Sequence, residues 1–428
     1  MRRLILALAA LAALTALPLG CTPEEYADER TVKLDFSADT VSFDTVFTTM
    51  GTATRQLKVY NRSTHDIELS SVTLKHGRHS RFRLNVDGDT SMVARHVELQ
   101  GGDSIFIFIE ACIDPNESTA PFLRTDSIVF GNGQCVPLQA YGRNAVYHRL
   151  APGDSSWFCR IDCAAWDNSR PHVFLSPAAV MEGNTLTLRA GDELYFGNGA
   201  MLIIDSAATL DARGTAERPI LFTSLRQEEW YRHLPGQWLF IWLYNFSTGN
   251  VIDHAVIENG TAGLRCYPGS QATVSNTVVR QMSDAGLVGQ NATASVHNML
   301  VYDCYSALAL IGGGEYSFSQ STFADYWNYI GKSRDTAAVI ISNHYYLPDG
   351  SYTGADMRRA DFTNCIVYGN HRNEVAVSTR PPFAMSYSFT RCLVRGGEWD
   401  ADPLFTSVED DDYSLQEDSP AAGIGYQP

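Results

Sequence analysis

Positive charge is scarce in this chain. Of 428 residues, 32 are Lys or Arg and 48 are Asp or Glu, for a net charge of -16. Such a chain repels a nucleic-acid backbone unless a local basic patch offsets it. No such patch is expected after Arg2 and Arg3, so no nucleic-acid partner is predicted. Long apolar runs are also missing. Beyond the first 20 residues nothing approaches the ~20 apolar residues of a membrane-spanning helix. The cysteines lack a metal-binding frame. Besides Cys21 they are Cys112, Cys135, Cys159, Cys163, Cys266, Cys304, Cys365 and Cys392. Cys159 and Cys163 stand four apart, not three, so neither zinc nor any other metal or cofactor is predicted.

Two arginines open the chain, and an apolar run follows from Leu4 to Leu17. It has the length of a signal-peptide core and is too short to span a bilayer. It ends in Leu17-Pro18-Leu19-Gly20-Cys21. A small residue directly before a cysteine resembles the lipobox of bacterial lipoproteins, although Pro18 stands where that motif has a large apolar residue. The resemblance implies a signal peptide over 1–20, an acylated Cys21 inserted in a membrane, and a polar tether over 21–30. Glu24-Glu25 resembles the tag that exports some Gram-negative lipoproteins to the outer face of the outer membrane. A surface-exposed outer-membrane location is the expectation.

Residues 31–147 alternate apolar and polar residues in short runs, as in Gln56-Leu57-Lys58-Val59-Tyr60 and Ser104-Ile105-Phe106-Ile107-Phe108-Ile109. Turn residues such as Asn61-Arg62-Ser63, Gly101-Gly102-Asp103 and Gly131-Asn132-Gly133 separate them. This spacing predicts a β-sandwich. The Val59-Tyr60-Asn61 strand end and the Leu138-Gln139-Ala140-Tyr141-Gly142 closing strand resemble Ig-like domains of the Hydin type, which act as spacers or adhesion modules. Cys112 and Cys135 are open to either a disulfide or free buried thiols. A proline-containing segment over 148–179 is expected as an irregular linker, and its Cys159 and Cys163 are a second candidate disulfide.

An internal repeat follows. His254, Asn276, Asn298 and Gln320 recur every 22 residues, as do Val256, Val278, Leu300 and Thr322, and Ile257, Val279, Val301 and Phe323. A unit of 22 residues is too short for the paired helices of tetratricopeptide, ankyrin or armadillo repeats, and the leucine-rich frame is absent. It fits one coil of a β-helix, three short strands joined by turns, each strand stacked about 4.8 Å from its equivalent. The amide column then forms a ladder at one turn, and the apolar columns form a core. Which member of each adjacent apolar pair points inward is left open by the sequence.

Further units resemble the coils of bacterial choice-of-anchor and polysaccharide-lyase-like β-helix proteins. They include Ala208-Thr209-Leu210-Asp211-Ala212-Arg213-Gly214-Thr215, Arg218-Pro219-Ile220-Leu221-Phe222-Thr223, and Phe362-Thr363-Asn364-Cys365-Ile366-Val367. The ending, from Asp402-Pro403-Leu404-Phe405 to Ser419-Pro420-Ala421-Ala422-Gly423, resembles their terminal coil. The resemblance implies an all-β chain, with an N-terminal Ig-like β-sandwich and a right-handed single-stranded parallel β-helix over 180–428. Cys365 and Cys392 fall at equivalent places in successive coils, as stacked thiols or a disulfide.

Enzymes on such scaffolds carry carboxylate clusters or calcium-binding acids on one sheet. Neither an Asn-Thr-Asp nor an Arg-Ile-Lys segment occurs here. Asp303 and Asp325, 22 apart, are the nearest approach to an acid pair. Solvated turn residues beside a Glu258–Arg280 salt bridge are the plainer expectation, so no catalytic residue is assigned. Two insertions interrupt the coils, 225–235 and 343–359, and such insertions often carry the binding face. Their aromatic residues Trp230, Tyr231, Tyr345 and Tyr346, together with Trp327, are the candidate glycan contacts. The expected function is glycan or surface-component binding without catalysis. A carbohydrate-active enzyme and a purely structural or adhesion protein are the alternatives.

Overall fold

The computed structural model describes residues 26–52, 54–163, 166, 168–327 and 334–428. The signal peptide and Cys21 lie outside the described residues. Two compact units divide between Arg143 and Asn144. Among the described residues no helix is long and apolar enough to cross a membrane.

The first unit is a β-sandwich. One sheet orders Leu34–Phe36, Arg55–Asn61, Ser104–Ala111 and Phe82–Val86; the other orders Val41–Phe47, Cys135–Arg143, Phe122–Phe130, Val72–Leu74 and Val93–Ala94. Period-2 alternation decides what is buried. In Ser104–Ala111, Ile105, Ile107, Ile109 and Ala111 face the core, while Phe106, Phe108 and Glu110 face out. Leu57 and Val59 join that core from the same sheet, and Ile128, Phe130, Val136 and Leu138 from the other.

Four expectations are decided here. The end of the segment read as a tether packs on the sandwich: Ala27 bridges Ile67, and Glu29 Oε2 accepts the Ser70 amide at 2.9 Å. No disulfide joins Cys112 to Cys135, and both are free thiols. Cys112 continues a strand of the four-stranded sheet, while Cys135 opens a strand of the five-stranded sheet. Cys159 and Cys163 are free as well, half-buried against the core of the second unit. Burial raises the pKa of both thiols. The linker itself is coil. Val146–His148 pairs in parallel with His172–Phe174, Cys159–Arg160 with Ala178–Val180, and those with later coils. Its prolines sit between very short strands, which is why the segment shows little periodicity.

The second unit is a parallel β-solenoid with three sheets. The first sheet runs through His172–Phe174, Glu193–Phe196, Ile220–Ser224, Ala255–Glu258 and on to Ile366–Gly369 and Leu393–Val394. The second runs through Ala178–Val180, Leu202–Ile204, Ile241–Leu243 and Ala262–Cys266 to Val339–Ser342 and Val375–Ser378. The third runs through Thr185–Arg189, Thr209–Arg213 and Asn250–Asp253 to Met357–Thr363 and Ser388–Thr390. The 22-residue pairings appear directly, with Val256 opposite Val278, Ile257 opposite Val279, and Val301 opposite Phe323.

The second member of each apolar pair points inward: Ile257, Val279, Val301 and Phe323 are at most 1% exposed. Aromatic rings stack along the same interior, Phe318 on Phe362 at 4.8 Å and Phe362 on Phe389 at 4.6 Å. Cys365 and Cys392 are stacked core thiols, and the Cys365 amide donates to Cys392 Sγ at 3.4 Å.

The amide column marks the corner from third sheet to first. His254, Asn276, Asn298, Gln320 and Asn364 all have φ between 47° and 54°. One left-handed residue makes this turn, and Asn tolerates that conformation better than most. The ladder forms, although its first acceptor is Asp253 and not His254. Asn276 Nδ2 donates to Asp253 Oδ1 at 2.8 Å, and Asn298 Nδ2 to Asn276 Oδ1 at 2.9 Å.

The chain end is not a further coil. Phe405–Ser407 and Asp412–Leu415 form an antiparallel hairpin. Phe405, Tyr413, Ala421 and Ile424 cover the outer side of the first sheet at Leu300, Tyr302, Ile366, Tyr368 and Leu393. Val278 and Leu300 of the outward column are thereby explained: they seat this segment.

Candidate ligand-binding face of the solenoid

The outer side of the second sheet carries the clearest aromatic surface. Ile241 and Leu243 point into the core, so Phe240, Trp242 and Tyr244 point out. Trp242 lies between Ile203 on one coil and Arg265 on the next. Its ring meets Tyr244 and Tyr267 edge-on, each at 5.1 Å, and Phe240 at 5.9 Å. The Arg265 guanidinium lies 4.6 Å from the Phe240 ring centre and pairs with Asp284 at 2.5 Å. Further along the face come Val288, Ala309 and Ile311. Two donors on adjacent rungs, Trp242 Nε1 and Arg265 Nε, have no hydrogen-bond partner. Buried donors are rarely left so in native structures.

Both insertions border this sheet, from opposite edges and at different coils. Residues 225–235 precede Ile241–Leu243 at the corner from first sheet to second. The hairpin of His344–Tyr346 with Tyr352–Gly354 follows Val339–Ser342 at the corner from second sheet to third. The predicted contacts therefore do not converge. Trp230 is 71% exposed, and the Arg226 guanidinium sits 3.7 Å from the Tyr231 ring centre. Tyr346 is exposed, and its hydroxyl accepts Arg380 Nη2 at 3.0 Å. Tyr345 is half-buried over Gly312. Trp327 is a correction: it is 6% exposed, set edge-on to Tyr305, and offers no face to a ligand.

The sequence groups Trp242 and Tyr244 with Trp230, Tyr231 and Trp238 as possible sugar contacts, with half of the alternating Trp238, Phe240 and Trp242 expected in the core, and does not point to Tyr267. Trp238, Phe240 and Trp242 share one parity, yet Trp238 is 1% exposed at the corner and donates its indole N–H to Glu258 O at 2.8 Å. The bend after Trp238 separates it from the outward pair. The signal available was the strict inward placement of Ile241 and Leu243.

The acid pair does not form one face. Asp303 occupies the corner from first sheet to second, with φ 49°, and burial, with Asp411 nearby, pushes its pKa up to about 6. Asp325 is fully buried, accepts the Cys304 amide at 3.0 Å and lies 3.6 Å from the buried Arg334, which also pairs with Glu374. Burial raises the Asp325 carboxyl as well. Asp325, Arg334 and Glu374 thus pair in the interior and face no solvent. The Glu258–Arg280 bridge is present at 2.7 Å, and Arg280 Nη1 also donates to the Tyr302 hydroxyl at 2.8 Å. Among the described residues, no group of three His, Cys, Asp or Glu side chains is placed to hold a metal ion.

No family model matches the chain, and no curated protein matches it. Among solved structures, Dex49A from Penicillium minioluteum is similar over 83% of this chain and 78% of its own, at 9% identity and a TM-score of 0.21. The catalytic domain of a GH87 α-1,3-glucanase, solved with tetrasaccharides, is similar over 78% of this chain and 82% of its own, at 12% identity and a TM-score of 0.18. At those TM-scores neither likeness bears on activity.

Proposed function

We propose that the protein is a membrane-anchored surface lipoprotein whose solenoid binds a glycan on the outer side of its second sheet, without catalysis, and whose sandwich is an Ig-like spacer. The observation that carries the binding reading is the Phe240, Trp242, Tyr244, Tyr267 cluster, bordered by Arg265, on the outer face of that sheet. Aromatic rings present flat apolar area to the C–H faces of sugars, and a few polar groups fix orientation. A glycan array with the full-length protein in detergent tests this. Trp242→Ala and Tyr244→Ala are each expected to weaken the best ligand at least tenfold. Undiminished binding by the folded Tyr244→Ala variant would sink the assignment, because that ring is exposed and its loss leaves the core intact.

Anchoring rests on the Gly20-Cys21 motif. Cys21→Ala is expected to abolish incorporation of labelled fatty acid and release the protein from membranes; persistent acylation refutes the anchor. The proton affinity of Asp303 keeps one rival reading alive, a glycan hydrolase using that carboxyl as an acid. Depolymerisation of any polysaccharide by the wild type, lost in Asp303→Asn, would favour the rival.

A further inference from the structure

The sandwich contains a groove of about 980 Å³ between the edge strand Phe82–Val86 and the segment 90–92. Three arginines line it, Arg78, Arg81 and Arg83. They belong to the run Lys75-His76-Gly77-Arg78-His79-Ser80-Arg81-Phe82-Arg83, so the expectation that no basic patch follows Arg3 is corrected. A net charge of -16 hid a run of nine residues holding four cations and two histidines.

The groove opens beside an aromatic strip on the outer side of the four-stranded sheet. Phe106 and Phe108 stack with centroids 6.4 Å apart, and both are more than a third exposed. Phe108 stands between Gln56 and Asn85 in one cross-strand row. In neighbouring rows Lys58 lies over the Phe106 ring at 5.1 Å, and Arg83 stands opposite Glu110. Arg81 is held by Asp114 at 2.6 Å. The free edge does not invite a peptide strand. The Phe82 amide donates to Ser80 Oγ, and the Val86 amide to Asp89 O, so two of the three outward amides are already engaged.

We infer that this surface is a binding site for an acidic polysaccharide. Guanidinium groups pair with carboxylates in a two-pronged geometry. The phenyl faces accept a sugar ring, and the Gln56 and Asn85 amides flank it as hydroxyl partners. Glu110 adds the discriminating feature. A carboxylate among arginines favours a ligand that carries hydroxyl donors between its anionic groups, whereas the phosphate backbone of a DNA strand offers it none. The site is separate from the solenoid face and stands without it.

The test is affinity electrophoresis of the full-length protein in detergent, with polygalacturonate, neutral dextran and single-stranded oligo-dT as probes at the same salt. Polygalacturonate is expected to retard the wild type and to lose its effect as salt rises. The combined Arg78→Gln, Arg81→Gln, Arg83→Gln variant is expected to bind it at least tenfold more weakly. Phe108→Ala, which changes no charge, is expected to weaken it about threefold or more. The matching triple Arg→Lys variant should recover part of the affinity, which separates lost charge from lost folding. Absence of retardation overturns the proposal. So does wild-type behaviour of the triple Gln or Phe108→Ala variant, or tighter binding of oligo-dT than of polygalacturonate.

Discussion

At the residue scale, single side chains set the corners of the solenoid. Asn276 and Asn298 hold a left-handed backbone and also carry the ladder between coils. Asn298→Ala loses both features, and a cost of about 1–3 kcal/mol is expected from lost, partly buried hydrogen bonds plus an unfavourable φ. Asn298→Gly keeps the backbone freedom and should cost less; chemical denaturation distinguishes the two, and equal costs would show that the ladder alone matters. His148 is another sensitive point. It is enclosed by Trp166, His172 and Phe174, and its Nε2 lies 2.8 Å from His172 Nδ1. Desolvation first, and His172 second, lower its pKa to about 3. In the unfolded chain it takes a proton near pH 6.5, so between about pH 6.5 and 3 the unfolded state binds more protons. Its contribution is complete above pH 6.5 and is lost as pH falls through that window, by a few kcal/mol at most. His148→Phe should flatten the acid limb of a plot of stability against pH; an unchanged limb would place the acid sensitivity elsewhere.

At the scale of elements, the terminal hairpin is the most exposed to test. Its Phe405 and Tyr413, with Ile424 after it, seat on Leu300, Ile366 and Leu393. Deleting residues 402–428 uncovers a contiguous apolar row on a parallel sheet, a surface that associates or aggregates. The truncated protein is expected to bind a hydrophobic dye and to melt several degrees lower, by scanning calorimetry. Retention of full stability without dye binding would mean that the outer side of the first sheet needs no cover. The same element shows where sequence patterning reaches its limit. The outward residues Val278 and Leu300 are as apolar as the inward ones, because both sides of the sheet are covered there. Alternation could not choose between the two columns, and the identity of the cover came from 100 residues away.

For the whole molecule, the division between Arg143 and Asn144 leaves two hydrophobic cores. Leu57 belongs to one and Phe362 to the other, both fully buried. Leu57→Ala and Phe362→Ala should each cost about 2–5 kcal/mol. Each is expected to move a different calorimetric transition. A single transition shifted by both variants would show that the units unfold as one. The charge balance is also a whole-molecule quantity, and there it misled: the sum over 428 residues concealed the cations of 75–83, which act only over about a Debye length.

The all-β class and the coil are legible in local sequence. A 22-residue period with one amide column admits few architectures, because each strand must stack on its equivalent and each corner must fit a left-handed residue. Local sequence also marks the sandwich, through period-2 runs and their turns. Tertiary structure alone decided the rest. It turned the proline-containing linker into the first coils, since strands of two or three residues have too few positions to show a period. It left the candidate disulfide cysteines as free thiols. It buried Trp327 and brought Phe240, Trp242 and Tyr267 together from different coils, and it joined Arg83 to Phe108 across two strands. Adjacency of that kind depends on register and on which side of a corner a residue falls, and neither is written in local spacing.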